Sequence, residues 1–157
     1  MELSNKNLPC IADVDVLVCG GGPAGIGAAL CASREGASVM IVEMGGCLGG
    51  IATAGMMSHW GGESSSKVMQ EIFVRSRETD LGYSWIDENN PGENAIPHDI
   101  QMIVLEEMMR ESGVKILYYS MVCDAITENG SIVGVTVQNK SGKGFICAKC
   151  EIGRAHV

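Results

Sequence analysis

Three glycines, Gly20, Gly22 and Gly25, fall at the spacing G-x-G-x-x-G in the run Cys19-Gly20-Gly21-Gly22-Pro23-Ala24-Gly25. Each has its own work in a turn that holds phosphate: the first permits a tight bend, the second lets backbone approach a pyrophosphate, the third lets helix pack on strand. An acid, Glu43, follows at the distance where a carboxylate can accept hydrogen bonds from both hydroxyls of a ribose. A second glycine cluster, Gly45-Gly46-Cys47-Leu48-Gly49-Gly50, comes directly after it and continues as Ile51-Ala52-Thr53-Ala54-Gly55. Its backbone N–H groups could run along the remainder of a long extended cofactor.

Glycines of this kind act only if the flanking elements aim them. Asp13 to Val18 is an apolar, β-branched run and predicts a strand covered on both faces. Pro23 sits where a first-turn proline is tolerated, Ala24 to Glu35 predicts a helix whose Ala28, Ala29 and Ala32 let it lie close to a sheet, and Gly36 supplies the stop. Ala37 to Val42 predicts a second strand ending on Glu43. Helices are predicted over Glu63 to Asp80 and Asp99 to Ser112, with a loop rich in Asn, Gly and Pro from Leu81 to Pro97, carrying Tyr83 and Trp85, between them. Met102, Met108 and Met109 fall at helical spacing and read as core filler. Val114 to Tyr119 predicts a third strand. Val122 to Glu128, Ile132 to Gln138 and Gly144 to Cys150, parted by turns at Asn129-Gly130 and Ser141-Gly142, predict an antiparallel meander.

Taken together, the turn with Val14 to Val18 before it, Val42-Glu43, and Leu48-Gly49-Gly50-Ile51-Ala52-Thr53-Ala54-Gly55 resemble the FAD-dependent oxidoreductases with the glutathione-reductase type of Rossmann fold. Within them, the similarity is to the branch that includes heterodisulfide reductase A subunit-like flavoproteins. The resemblance implies an α/β, Rossmann-like FAD-binding fold: a parallel sheet interrupted by an antiparallel β-meander crossover. It places the FAD pyrophosphate on Gly20, Gly21, Gly22, Pro23, Ala24 and Gly25, and the adenosine ribose on Glu43, with Met44 beside it. Gly49, Gly50 and Thr53 would lie along the cofactor toward the flavin, and Val122 would face the adenine. A [4Fe-4S] cluster is a further implication of that branch, although the chain shows no four-cysteine ligand set. The electron partner implied is a small molecule or a redox protein.

Two other readings use the same turn: an NAD(P)-dependent dehydrogenase, and a non-catalytic dinucleotide-binding module that senses NADH or FAD. The second glycine cluster and the meander, which the dehydrogenase fold does not require, weigh against the first; the sensor module remains open.

The remaining reactive residues say less. Cys147 and Cys150 have C-x-x-C spacing, but residues three apart on a regular strand point to opposite faces and cannot share a ligand. Cys47 has Ala52 where a C-x4-C dithiol would need its partner, so disulfide-reductase chemistry is not supported. His59, beside Trp60 in a glycine-flanked loop that could lie near a flavin or substrate, reads as solvent-facing or hydrogen-bonded to backbone rather than catalytic.

The chain has 157 residues, a net charge of -8 and no Lys/Arg block, which excludes nucleic acid and anionic membrane as partners of choice. Residues 1 to 12 read as a polar tail without signal or membrane-spanning character. Seven scattered cysteines fit reduced thiols in a cytoplasmic protein. Residues 13 to 150 are expected to be the FAD-binding domain. The last seven, Glu151 to Val157, break its pattern, because the resembling family continues into an Asp-Ala-Thr-Gly-Asp-type segment. Their natural codons, GAG ATC GGA AGA GCA CAC GTC, read as a sequencing-library adapter in frame. The expectation is therefore a gene that continues past Cys150, with Arg154 and His156 carrying no function, and an isolated chain that folds poorly and retains FAD weakly or not at all.

Overall fold

The computed structural model describes residues 8–59, 66–79 and 95–153. Trp60, Tyr83, Trp85, Arg154, His156, the first seven residues and the predicted start of the second helix at Glu63 lie outside them. The order is β1 (Cys10–Cys19), α1 (Pro23–Arg34), β2 (Val39–Val42), a single 3-10 turn (Gly50–Ala52), α2 (Lys67–Glu78), α3 (His98–Glu111), β3 (Lys115–Leu117), β4 (Met121–Glu128), β5 (Ser131–Asn139) and β6 (Gly142–Gly153). The strands form a six-stranded sheet in the order β3-β2-β1-β6-β5-β4. β1 is parallel to β2 and β6, β2 to β3, and β4-β5-β6 is an antiparallel meander. This is the α/β, Rossmann-like architecture expected from the sequence.

One feature of the meander differs from the expectation. Its last strand is not confined to the crossover, because β6 runs on beside β1 in parallel, from Cys10↔Phe145 to Cys19↔Gly153. The strand thus extends over Glu151, Ile152 and Gly153, whose ladder pairing uses main-chain groups that any residue supplies.

Period-two alternation divides the core. Val39 and Ile41 of β2 pack with Val18, Leu30, Ile72, Phe73, Val104, Leu105, Met108 and Met109 under the helices. Met40 and Val42 point the other way and join Leu17, Val135, Val137 and Ile146. The meander therefore covers the face that the helices leave. The sheet must roll to do this. β3 and β4 are its two edges, about 24 Å apart if six strands lay flat at roughly 4.8 Å spacing. The link between them is only Tyr118 to Ser120, which reaches at most roughly 14 Å. Leu117 and Val122 accordingly pack against the same cluster, and Asn139 Nδ2 donates to Ser120 Oγ at 3.1 Å across the seam.

Polar contacts pin the layers. Arg34 of α1, Glu71 and Arg75 of α2 and Glu111 of α3 form one ion-pair chain, with N···O distances of 2.7 to 2.9 Å. Asp15 of β1 accepts from Lys149 of β6 at 2.6 Å and from both the backbone and hydroxyl of Ser38. Those bonds hold its carboxyl far below the usual range, Lys149 contributing most. They also tie Ser38 to β1, which fits the start of β2 at Val39 rather than Ala37. His59 is exposed, in keeping with the sequence reading, and forms an isolated bridge with Ala95.

Candidate functional site

The carboxyl ends of β1 and β2 carry the two glycine loops, and the loops are fastened to each other. Gly20 bends at φ +115, a left-handed conformation that favours glycine, and its N–H donates to Val42 O at 2.9 Å. Gly25 is required by packing, since a Cβ there would overlap the carbonyl oxygen of Gly20 and lie 3.2 Å from Val18 Cγ1. α1 thus starts in contact with the turn. From the second loop, Gly49 N–H donates to Gly21 O at 2.8 Å, and a Cβ on Gly50 would stand 3.2 Å from Gly22 Cα.

Glu43 is the joint between them. Its Oε2 accepts the N–H of Gly21 and its Oε1 accepts the N–H of Gly45, both at 2.6 Å. Charge-assisted bonds of this length are the strong kind. Two bonds leave the carboxylate with further lone pairs, so it could still accept from ribose hydroxyls. Its backbone is held as well: N–H to Leu117 O at 2.9 Å, and C=O from Ser120 N–H at 3.0 Å. Met44, next in sequence, leaves 70% of its surface exposed beside that acid.

The first turn of α1 begins beside these loops without a cap. Gly22 is its N-cap with no side-chain cap bond, Pro23 has no N–H, the first turn holds no acidic residue, and the first intrahelical bond is Ile26 N–H to Gly22 O. The N–H groups of Ala24 and Gly25 consequently point out of the helix end without an intrahelical acceptor. A Cβ at Gly22 would meet nothing within 4 Å, which leaves that backbone open to close approach.

Of the residues singled out from the sequence, Gly20 to Gly25, Glu43, Met44, Gly49 and Gly50 lie together on these two loops. Thr53 lies with them but faces inward. It is fully buried, its Oγ1 donates to Leu48 O at 2.5 Å, and Cys47 Sγ lies 3.8 Å from it. It shapes the second loop rather than presenting a hydroxyl to its surface. Val122 stands across the seam on β4, half-buried against the meander core.

Sequence reasoning missed Tyr119. It takes φ +50, donates its N–H to Gly45 O at 3.1 Å, and lays its ring on Gly46, where any Cβ would collide with the phenol. No spacing signal marks such a residue, because the contact exists only once the sheet has rolled. Beside it, Tyr118 donates its hydroxyl to Glu106 of α3, and burial, then that acid, raise its pKa. Cys19 precedes the turn, and burial, then Glu151, push its thiol up to about 12.

Residues 15–153 match the family model described as FAD dependent oxidoreductase. The chain belongs to the FAD dependent oxidoreductase family. A curated relative, thiamine thiazole synthase of Aeropyrum pernix, is 31% identical over 129 residues, 78% of this chain and 43% of the relative. THI4 of Thermovibrio ammonificans has a similar fold, with TM-score 0.67 at 18% identity over 91% of this chain and 57% of that one. So does a geranylgeranyl bacteriochlorophyll reductase-like protein of Thermoplasma acidophilum, with TM-score 0.62 at 20% identity, over 90% and 39% of the two chains. The chain therefore spans about half the length of these proteins. Among the described residues, no group of three or more His, Cys, Asp or Glu could hold a metal ion, and no helix is long and apolar enough to cross a membrane.

Proposed function

We propose that this chain is the FAD-binding portion of a flavin-dependent oxidoreductase. The observation that carries this reading is the locking of the two glycine loops through Glu43, beside an uncapped helix end with an open Gly22. Gly20 to Gly25 would hold the pyrophosphate, with the N–H groups of Ala24 and Gly25 as donors. Glu43 would take the ribose, with Met44 and Val122 near the adenine. Gly49 and Gly50 would back the cofactor toward the flavin, and Thr53 would hold their loop in shape. The flavin supplies hydride or electron transfer when bound, while these residues bind and orient it. Substrate and electron partner, a small molecule or a redox protein, are recognised elsewhere in the whole enzyme. A [4Fe-4S] cluster would draw its ligands from outside the described residues. Residues 151–157 take no part in this reading, and sequencing the source locus with independent primers tests whether they are native.

The test is the identity of the nucleotide. The full-length protein encoded at that locus is purified, denatured, and the released ligand identified by mass. FAD, with flavin absorbance that bleaches under a reductant and returns with an acceptor, is the expected result. A nicotinamide dinucleotide would replace this reading with the dehydrogenase one. FAD that bleaches but never turns over with an acceptor would leave a binding module.

A further inference from the structure

Met44 and Tyr119 leave 70% and 66% of their surfaces exposed, more than any other large apolar side chain among the described residues except Met56. Such residues need no explanation when they are scattered singly. These two are not scattered. Met44 follows Glu43, and Tyr119 is fastened to the same segment twice: its own N–H donates to Gly45 O at 3.1 Å, and the next N–H, that of Ser120, donates to Glu43 O at 3.0 Å. Met121, exposed at the start of β4, continues the apolar rim, while Val122 turns inward to the meander core.

Tyr119 is held in place at a cost. Its φ of +50 is uncommon for a bulky residue and persists only where neighbouring contacts over-determine it. Those contacts are the two bonds to the Glu43 segment, the bond from Asn139 Nδ2 to Ser120 Oγ, and the ring lying on Gly46. Folding therefore orders an aromatic ring and leaves most of it in water, so its lost freedom is not repaid by burial within the chain. The strand order says what would cover it. β1, β2 and β3 are successive neighbours, and their carboxyl ends lead into the glycine turn, Glu43 and Tyr118-Tyr119 respectively. Pyrophosphate, ribose and base follow one another in the same order along a dinucleotide.

We propose, resting on the cofactor-binding function above, that Tyr119 is the platform on which the adenine ring stacks, with Met44 adding polarisable contact beside it. The bonds to Gly45 and Glu43 then have a second use. They fix the stacking face relative to the carboxylate that takes the ribose, so base and sugar are positioned by one rigid unit.

The full-length protein from the source locus, stripped of nucleotide, is titrated with FAD and with ADP, which carries the adenosine and pyrophosphate without the flavin. Tyr119→Phe keeps the ring, whereas Tyr119→Leu keeps bulk over Gly46 but has no π face. Tyr119→Leu is expected to weaken both ligands at least ~5-fold, the low end for losing one base–aromatic stack. Tyr119→Phe should bind as the parent does, and the two variants should share one Tm without ligand. Equal affinity in the parent and Tyr119→Leu, a loss confined to FAD, or a loss that Tyr119→Phe shares would each overturn the stacking role. A parent protein that binds neither ligand would overturn the function proposed above, and this role with it. Nitration of Tyr119 by tetranitromethane, mapped by mass in the unsubstituted protein, gives an answer that does not depend on the variants folding. Saturating ADP should block it, and undiminished nitration of the ADP-bound protein would remove the ring from the site.

Discussion

Glu43 Oε2 accepts the backbone N–H of Gly21 at 2.6 Å, joining the end of one strand to the turn that follows another, 22 residues earlier. The same carboxylate holds Gly45 through its other oxygen. In Glu43→Gln an amide would have to present its N–H₂ to one of two N–H donors. We expect a loss of about 1–3 kcal/mol from the folded arrangement, the range for a hydrogen bond to a charged group left unmade. Thermal unfolding and FAD titration of the variant should both show it, and an unchanged Tm would mean that the bridge does not hold the loops.

Gly22 and Gly25 separate folding from binding. Gly22 has φ −73 and free space where a Cβ would go, so Gly22→Ala should leave Tm unchanged while filling the approach to the turn. FAD affinity is expected to fall at least ~10-fold, since an overpacking cost of about 1–3 kcal/mol corresponds to a tenfold loss or more. Equal affinities for the variant and the parent chain would remove Gly22 from the cofactor site.

Gly25→Ala and Gly27→Ala, two residues apart on α1, should move stability in opposite directions. A Cβ at Gly25 strikes backbone at Gly20 O, whereas one at Gly27 meets nothing within 4 Å. The first should cost about 3 kcal/mol or more, because the helix must shift from the turn. The second should gain roughly 0.5–1 kcal/mol from helix propensity. Chemical denaturation of both variants checks the sign of each change.

Thr53→Val removes the donor to Leu48 O inside a fully buried loop. A loss of about 1–3 kcal/mol is expected for the orphaned carbonyl, with most of it restored in Thr53→Ser. A Thr53→Val protein as stable as its parent would contradict the inward role given to this hydroxyl.

The helix ion-pair chain gives the stability a pH dependence. Hydrogen bonding to Arg34, and charge from Arg34 and Arg75, lower the Glu71 carboxyl below its ordinary 4.5. A carboxylate lowered by folding stabilises above its unfolded pKa, and that contribution disappears as pH falls through the folded value. The side chains remain about a third exposed, so solvent screening limits the effect to roughly 0.5–1 kcal/mol. Comparing Tm for the parent chain and Glu71→Gln should show a gap at neutral pH that closes below 4.5. A gap independent of pH would assign the loss to packing instead.

The sequence was most informative where function rests on backbone shape. Gly20, Gly22, Gly25 and Glu43 announce their arrangement because a phosphate turn tolerates few residue types at each position, and Pro23 and Gly36 mark the ends of the helix between. The helical methionines were equally legible, and Met108 and Met109 are fully buried. What stayed hidden depends on contacts between distant segments. Nothing near Tyr119 predicts that its ring will cover Gly46. Thr53 shows the limit in another way, since its position on the second loop was legible while the inward direction of its hydroxyl was not.

The pairing of β1 with both β2 and β6 sets an order of assembly. Residues 10–19 find β2 within twenty residues or so, but their other neighbour is residues 145–153, the last described strand. During synthesis the strand that leads into the glycine turn therefore has an open edge until residues 145–153 have emerged. Contacts of such long sequence separation form slowly, and unpaired strand edges invite association with other chains. Early on, therefore, the turn at Gly20 to Gly25 hangs from a half-built sheet, and its rigidity waits for β6.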